Sequence, residues 1–186
     1  MTILRHVLLA HPATACPQVQ QLHVTLERSP QHPAWRLRYE LAGELAALRL
    51  PPQAAQPAPT DGLWRHSCFE AFVARTGQAA YREFNFSPSG HWAAYAFGAE
   101  RVPDAAAPTL PAPRIACARD ATRLRLDAWL PGPVFDDGDL QLGLSAVIET
   151  LDGQLSYWAL AHPCAQPNFH HRAGWTARLP ALPTTP

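Results

Sequence analysis

Short segments in which polar and apolar residues alternate, separated by turn-forming residues, dominate this chain. In residues 35–41 (WRLRYEL), a tryptophan, two leucines and a tyrosine occupy every second position, and charged residues lie between them. Residues 123–130 (RLRLDAWL) repeat the pattern. Because successive side chains of a strand point to opposite faces, this period of two predicts strands that are buried on one face. There is no amphipathic helix of useful length in the sequence, so the pattern predicts an all-β fold.

Turn signals between these segments indicate antiparallel neighbours. Residues 87–90 (SPSG) separate one pair of segments, and an Asp-Gly pair at 152–153 separates another, as in β-hairpins. The proline-rich stretches 51–60 and 98–113 are predicted to be surface loops. Residues 1–186 are therefore predicted to form a single domain, an antiparallel β-sandwich of Greek-key or jelly-roll type with about nine to eleven strands. The predicted strands include 19–28, 35–41, 45–50, 81–86, 92–97, 123–130, 140–150, 155–161 and 175–179.

Composition narrows the classes of partner and the cellular compartment. The formal net charge is zero at pH 7. Nucleic acids and anionic membranes favour a basic face, so neither is an expected partner. The apolar run after Arg5 and His6 is short for a signal peptide, and no segment is long enough to span a membrane, so we expect a cytoplasmic protein. The four cysteines are far apart and are expected to be reduced: Cys16, Cys68, Cys117 and Cys164.

Carboxylates and an amide lie among aromatic residues between positions 64 and 95. Glu83 and Asn85 share one face of a predicted strand, and Glu70 lies beside phenylalanines on the strand before it. A short chain links these strands, which favours antiparallel neighbours. Buried carboxylates and amides need partners or a ligand. We therefore expect Glu70, Glu83 and Asn85 to converge on one side of a single sheet.

Six tryptophans are many for a chain of 186 residues. Sugars present apolar C–H faces that an exposed indole can cover, and hydroxyls that carboxylates, amides and arginines can bind. Trp64, Trp92 and Arg101, together with the carboxylates and the amide, contain that mixture. The alternative is that the tryptophans fill the core and the acids pair with arginines such as Arg65 and Arg82.

The segment Pro167–Arg172 (PNFHHR) is too polar for a core strand and lies between two predicted strands, where functional loops are common. Arginine can bind a carboxylate through two hydrogen bonds, and histidine can donate or accept. We expect this loop to close one end of the binding face and to supply at least one of His170 and Arg172. The alternative is that it only covers a sheet edge.

Catalysis is an alternative that these residues leave open. Glu70 and Glu83 could act as a glycosidase pair if their strands are neighbours. A metal for hydrolysis could be held by histidines and a carboxylate, namely His162 with His170 or His171 and with Glu149 or Glu70. The sequence contains no nucleophile elbow and no phosphate-binding glycine loop. The prediction is a site with no catalytic residue, no metal and no cofactor.

Three parts of the chain resemble the DOMON-like proteins of bacteria: LWRHSCFEAFV, YREFNFSPSGHWAAYAF, and YWALAHP followed by PNFHHRAGW. These proteins are related to family-9 carbohydrate-binding modules and to DOMON sensor and cytochrome domains. The resemblance extends from about Leu22 to Leu179 and implies a β-sandwich that binds a small ligand, a sugar or haem, on one face. Family-9 modules clamp a sugar between tryptophans, and Trp64 and Trp92 are the positions nearest to such roles.

Haem ligation in the cytochrome-type DOMON domains uses methionine and histidine. The one methionine here is Met1, so the resemblance leaves ligation by two histidines, with His91, His162, His170 and His171 as candidates. The sequence as a whole predicts a non-catalytic module for a carbohydrate or a similar polar, ring-shaped small molecule. A glycosidase-like or metal-assisted hydrolase and a haem-binding sensor are the alternatives. The predicted ligand-binding residues are Trp64, Glu70, Glu83, Asn85, Trp92, Arg101, His170 and Arg172.

Overall fold

Two antiparallel sheets pack face to face in the computed structural model, which describes residues 2–29, 32–131 and 138–181. The strands are β1 (Thr2–Val7), β2 (Leu9–Ala10), β3 (Val19–Ser29), β4 (His32–Gly43), β5 (Cys68–Arg75), β6 (Tyr81–Phe86), β7 (Trp92–Ala99), β8 (Val102–Pro103), β9 (Arg114–Arg119), β10 (Arg123–Pro131), β11 (Leu140–Glu149), β12 (Leu155–Ala159) and β13 (Ala177–Leu179). The five-stranded sheet has the order β1-β3-β4-β10-β9. The eight-stranded sheet has the order β2-β12-β11-β5-β6-β7-β8, and β13 also pairs with β11.

The core lies between the sheets and contains the apolar half of each alternating strand. Leu37 and Tyr39 of β4 face Phe69 of β5 and Phe86 of β6 across this layer, and all four are buried. The Tyr39 hydroxyl also crosses the core and donates a hydrogen bond of 2.7 Å to the backbone oxygen of Glu70. The core thereby supports the strand whose other face carries the candidate site.

The predicted β-sandwich is confirmed, together with both hairpins. β6 pairs with β7 around a turn in which Gly90 has a φ of 90°, and β11 pairs with β12 around a turn in which Gly153 has a φ of 86°. Glycine populates this left-handed region without steric cost. Within the described residues, helical structure is limited to short 3-10 turns, among them Leu45–Ala47, Leu63–Arg65 and Arg172–Gly174. No helix there is long and apolar enough to cross a membrane.

The predicted strand at 45–50 is wrong. Leu45–Ala47 form a 3-10 turn, and Leu48 makes only an isolated bridge to Thr150. Leu45 and Leu48 are both buried, and their spacing of three matches one 3-10 turn rather than strand alternation. The pattern also missed β1, an edge strand on which the apolar Ile3 and Val7 are exposed.

Candidate functional site

The outward face of the eight-stranded sheet carries the two buried carboxyl groups. Glu70 on β5 lies directly opposite Asn85 on β6, and Phe72 lies opposite Glu83. Paired residues share a face, so Glu70 and Glu83 are diagonal neighbours across the two strands. The predicted convergence of Glu70, Glu83 and Asn85 on one side of a single sheet is confirmed.

A cavity of about 810 Å³ opens above these carboxyl groups. Its size is within the range of small-molecule sites. The 61–65 segment forms one wall, Tyr95 and Phe97 of β7 form another, and the 166–170 loop forms a third. Further lining residues are Thr14, Phe72, Arg101, Val147 and Tyr157.

Burial determines the charge of Glu70 and Glu83, which form the floor of the cavity. It raises the pKa of Glu70 well above the usual carboxyl value, and the negative charge of Glu83 raises it further. Burial also raises the pKa of Glu83, although a hydrogen bond from Asn85 and the charge of Arg101 oppose this shift. The Ser145 hydroxyl donates to Glu70 Oε2 at 3.4 Å. The pair therefore keeps a proton at pH values where exposed glutamates are ionised.

Asn85 lies beneath this floor and does not line the cavity. It is fully buried, and its amide donates a 2.8 Å hydrogen bond to Glu83 Oε1. Its carbonyl accepts a hydrogen bond from the Cys68 thiol, with 3.6 Å between Sγ and Oδ1. Burial raises the pKa of Cys68 well above its usual value, so the thiol keeps the proton that it donates. Asn85 thus orients a carboxyl group.

His170 reaches the floor from the loop above it. Its Nδ1 is hydrogen-bonded to the Tyr81 hydroxyl at 2.7 Å, and its Nε2 lies 3.6 Å from Glu83 Oε2. Burial lowers the pKa of His170 to about 4, and the charge of Arg101 lowers it in the same direction. The imidazole is therefore neutral at neutral pH, and its contact with Glu83 is not an ion pair.

Arg101 occupies the left-handed region of the backbone, with a φ of 56°. Its N–H donates to the Tyr81 hydroxyl at 3.1 Å, and its Nη2 donates to Asn168 Oδ1 at 3.2 Å. A left-handed conformation is uncommon for a residue with a side chain and indicates a position that its surroundings enforce. The guanidinium is held at the cavity rim, beside the 166–170 loop.

An exposed indole forms part of the cavity wall. Trp64 is 47% exposed, and the Arg65 guanidinium lies 5.2 Å from the centre of its ring. Nearby, the Tyr95 hydroxyl donates to Asp61 Oδ1 at 3.0 Å. Burial raises the pKa of Tyr95 to about 12, and the hydrogen bond with Asp61 adds to this effect. The wall presents an aromatic face next to a carboxylate and a phenol.

The 166–170 loop is fixed to the sheet through Trp175. The indole Nε1 donates to the backbone oxygen of Phe169 at 2.7 Å. The ring lies over Gly143 of β11, where a Cβ atom would come within 2.5 Å of the indole, and it packs against Phe72 with 5.4 Å between ring centres. Gly143 therefore permits the close approach that positions this wall.

Besides Asn85, two predicted site residues do not line the cavity. Trp92 pairs with Phe86, so it points to the face of β7 opposite Glu83 and does not line this cavity. The Arg172 guanidinium lies 4.4 Å from the centre of the Trp175 ring and donates to Gln141 Oε1 at 3.1 Å. The structure therefore brings Trp64, Arg101 and His170 together with Glu70 and Glu83 in one cavity, and it places Trp92 and Arg172 outside its lining. The roles of all these residues in ligand binding stay predictions.

The histidines proposed for metal or haem ligation form hydrogen bonds with different parts of the chain. Ala58 N–H donates to His91 Nδ1, and His162 Nε2 is hydrogen-bonded to the backbone oxygen of Leu9. Of these candidates, His170 is the one whose side chain lines the cavity. In the described part of the chain, no three His, Cys, Asp or Glu residues are arranged to hold a metal ion.

No protein-family model and no curated protein matches this sequence. Two solved structures are similar in fold. One is a family-9 carbohydrate-binding module from Caldicellulosiruptor kristjanssonii in complex with cellotriose, with a TM-score of 0.63 and 8% identity over 99% of this chain and 89% of that one. The other is a candidate carbohydrate-binding protein from Bacteroides uniformis, with a TM-score of 0.62 and 15% identity over 97% of this chain and 87% of that one. At these identities the likeness shows a shared β-sandwich fold, and the DOMON-like part of the resemblance stays a prediction.

Proposed function

We propose that this chain is a non-catalytic module that binds a carbohydrate in the cavity above Glu70 and Glu83. The observation that carries the proposal is the exposed indole of Trp64 in the wall of an open cavity whose floor holds two buried carboxyl groups. An indole covers the apolar face of a sugar ring. One of the two similar structures is named as a carbohydrate-binding protein, and the other is a carbohydrate-binding module in complex with cellotriose. Both support the same ligand class for this chain.

The polar groups of the cavity suit hydroxyls. A protonated carboxyl group donates one hydrogen bond and accepts others, whereas a carboxylate only accepts. A pair that keeps a proton therefore presents both donors and acceptors, as a hydroxyl-rich ligand requires. Arg101 and Asp61 at the rim add a donor and an acceptor that a sugar can reach without crossing the aromatic walls.

Titration calorimetry with a panel of neutral oligosaccharides, cellotriose first, tests this proposal. We expect one member to bind to the purified protein. Trp64→Ala should weaken that binding about tenfold or more, equivalent to about 1.4 kcal/mol, with an unchanged melting temperature. Trp92→Ala is the matched control, because Trp92 faces away from the cavity. The proposal fails if no saccharide binds at millimolar concentration, or if the two variants weaken binding equally.

The raised pKa values of Glu70 and Glu83 also favour a second candidate, a glycosidase-like hydrolase. A carboxyl group whose pKa is raised keeps its proton to a higher pH and can act as a general acid, with a nearby carboxylate as its partner. Aryl glycosides with a chromogenic leaving group test this directly. Turnover that Glu70→Gln and Glu83→Gln both abolish would support the hydrolase, and saccharide binding without turnover would support the binding module.

A further inference from the structure

A second groove runs along β7, beside the main cavity. Side chains alternate along this strand, so Tyr95 and Phe97 face the main cavity while Trp92, Ala94 and Ala96 point the opposite way. These three residues line a groove of about 570 Å³, together with Ala93, Tyr95 and Phe97 of the same strand. The proline-rich 103–110 segment lines its far side, and the volume is again typical of small-molecule sites.

One side chain in this groove is an arginine with no partner. Arg82 is half-buried, and nothing in the described residues forms a hydrogen bond or an ion pair with its guanidinium. Asp104 lines the same groove, but its Oδ1 accepts from the backbone N–H of Ala106 and forms no ion pair with Arg82. Arg82 therefore presents the donors of a planar, permanently charged group to the groove.

The indole of Trp92 is also free. Across the described ranges, the other five tryptophans each have a contact that fixes the ring: Trp35 with Arg28, Trp64 with Arg65, Trp129 with Arg36 and Arg114, Trp158 with Ser156, and Trp175 with Phe169. Trp92 has neither a ring contact nor a side-chain hydrogen bond there, and it is partly exposed. Its backbone is held instead, because Thr60 N–H donates to Trp92 O at 2.8 Å.

The spacing of these groups indicates the kind of ligand that the groove can bind. Arg82 pairs with Ala96, which is four residues from Trp92, so the backbone positions that carry the guanidinium and the indole are separated by about 13 Å along the strand direction. The methyl groups of Ala94 and Ala96 lie between them, with Leu110 on the opposite wall. An extended apolar body fits this floor, and an anion fits the arginine at its end.

We infer that the groove is a second binding site, which takes an organic anion with an extended apolar body and places its carboxylate on Arg82 and its body beneath Trp92. The groove adjoins the carbohydrate cavity and shares Asp61, Tyr95 and Phe97 with its wall, but Arg82 and Trp92 line the groove and not the cavity. The anion is recognised by charge and by a fork of N–H donors, and the apolar body is recognised by burial.

Octanoate is a suitable probe, with 1-octanol as the uncharged control of the same chain length. Binding is followed by NMR at the Trp92 indole N–H and the Arg82 Nε–H. We expect octanoate to shift both signals, and Arg82→Gln to weaken octanoate about tenfold or more while leaving octanol unchanged. Arg82→Lys, which keeps the charge but loses the fork, should retain part of the affinity and covers the case in which the glutamine variant does not fold.

Arg101→Gln is the control for anion binding in the main cavity. It should leave octanoate binding unchanged, and Trp92→Ala should weaken octanoate and octanol together. The inference is overturned if octanoate leaves the Trp92 signal unmoved at millimolar concentration, if Arg82→Gln does not weaken it, or if Arg101→Gln weakens it as much as Arg82→Gln does.

Discussion

Asp127 on the five-stranded sheet and the pair Glu70 and Glu83 on the eight-stranded sheet are all buried acids, but they are neutralised differently. On the five-stranded sheet, Asp127 of β10 accepts hydrogen bonds of 2.9 Å from the Nε atoms of both Arg36 and Arg38. On the eight-stranded sheet, the groups that hydrogen-bond the side chains of Glu70 and Glu83 are the neutral Ser145 hydroxyl and Asn85 amide. One acid is satisfied by cations on its own sheet, and the other two keep a proton and lie below an open cavity.

The aromatic residues of the two faces show the same contrast. Trp129 has the guanidinium of Arg114 3.7 Å from its ring centre and that of Arg36 at 5.4 Å. Trp64 has only Arg65 near its ring in the described chain, and almost half of its surface is exposed. Trp129 is thus covered by two arginines of its own sheet, whereas Trp64 presents a largely exposed indole to the cavity above the carboxyl pair.

Removing the charge of Asp127 gives the largest expected effect. Asp127→Asn removes the carboxylate that Arg36, Arg38 and Arg125 share, and of these Arg36 keeps an ion pair with Glu27. Breaking a buried ion pair from one side costs about 3 kcal/mol of the free energy of unfolding. Chemical denaturation measures the change. Glu40→Gln, an exposed acid on the same face, should change stability by less than about 0.5 kcal/mol. Equal effects of the two substitutions would show that the arginine network is not what stabilises this face.

The carboxyl pair is expected to make the free energy of unfolding decrease as the pH rises. Because the folded state raises the pKa of Glu70 and Glu83 above the ordinary value of 4.5, their contribution to stability is complete below that pH and is lost as the pH rises through the raised values. One proton of difference corresponds to at most about 1.4 kcal/mol per pH unit. Glu70→Gln should make this decline less steep. The free energy of unfolding, measured by denaturant titration between pH 4 and pH 9, checks the comparison.

His170 contributes with the reverse sign and must be separated from the pair. Its folded pKa of about 4 lies below the ordinary 6.5, so its contribution is present at higher pH and is lost as the pH falls from 6.5 towards 4. The difference between the wild-type protein and Glu70→Gln isolates the carboxyl effect, because His170 is common to both. Parallel pH curves for the two proteins would contradict the shared proton.

A smaller effect on stability is expected at Tyr81, whose hydroxyl is hydrogen-bonded to His170 and Arg101. Tyr81→Phe removes the hydroxyl that bonds His170 Nδ1 and accepts from Arg101 N–H, at a cost of about 1 kcal/mol in the free energy of unfolding. Tyr95→Phe is the matched control, since it removes a hydroxyl whose hydrogen bond to Asp61 is exposed, and it should cost less. A larger cost at Tyr95 would place the rigid part of the site in the 61–65 wall.

The convergence of the acids could be predicted from the sequence because it depends on local rules. Glu83 and Asn85 are two residues apart on one strand, and a short connection makes the strand of Glu70 its antiparallel neighbour. The same rules also predict the correct orientation of Trp92, when they are applied to the β6–β7 hairpin. The turn at 87–90 pairs Phe86 with Trp92, and Phe86 is a core residue, so Trp92 had to face away from Glu83.

The walls of the cavity could not be derived in this way. Trp64 lies at the end of a long irregular segment, and no periodicity determines where such a segment returns to the sheet. Arg101 lies in the two-residue turn between β7 and β8, and its left-handed conformation is not visible in the alternation of residues. They were predicted from their residue types alone, and Asp61, Tyr95 and Phe169 were missed. Arg172 was misplaced because its guanidinium packs on Trp175, a contact between neighbours in sequence that competes with any reach toward Glu70.

Gly143 has a consequence for how this protein should be mutated. It contributes no side-chain atom and does not line the main cavity, so a mutational scan that is interpreted only through ligand contacts would ignore it. Any larger residue there would displace the Trp175 indole, whose Cδ1 lies 2.5 Å from the position of a Cβ atom, and with it the carbonyl of Phe169. A library built to change ligand preference should therefore keep Gly143 fixed and vary the 61–65 wall, which does not depend on that contact.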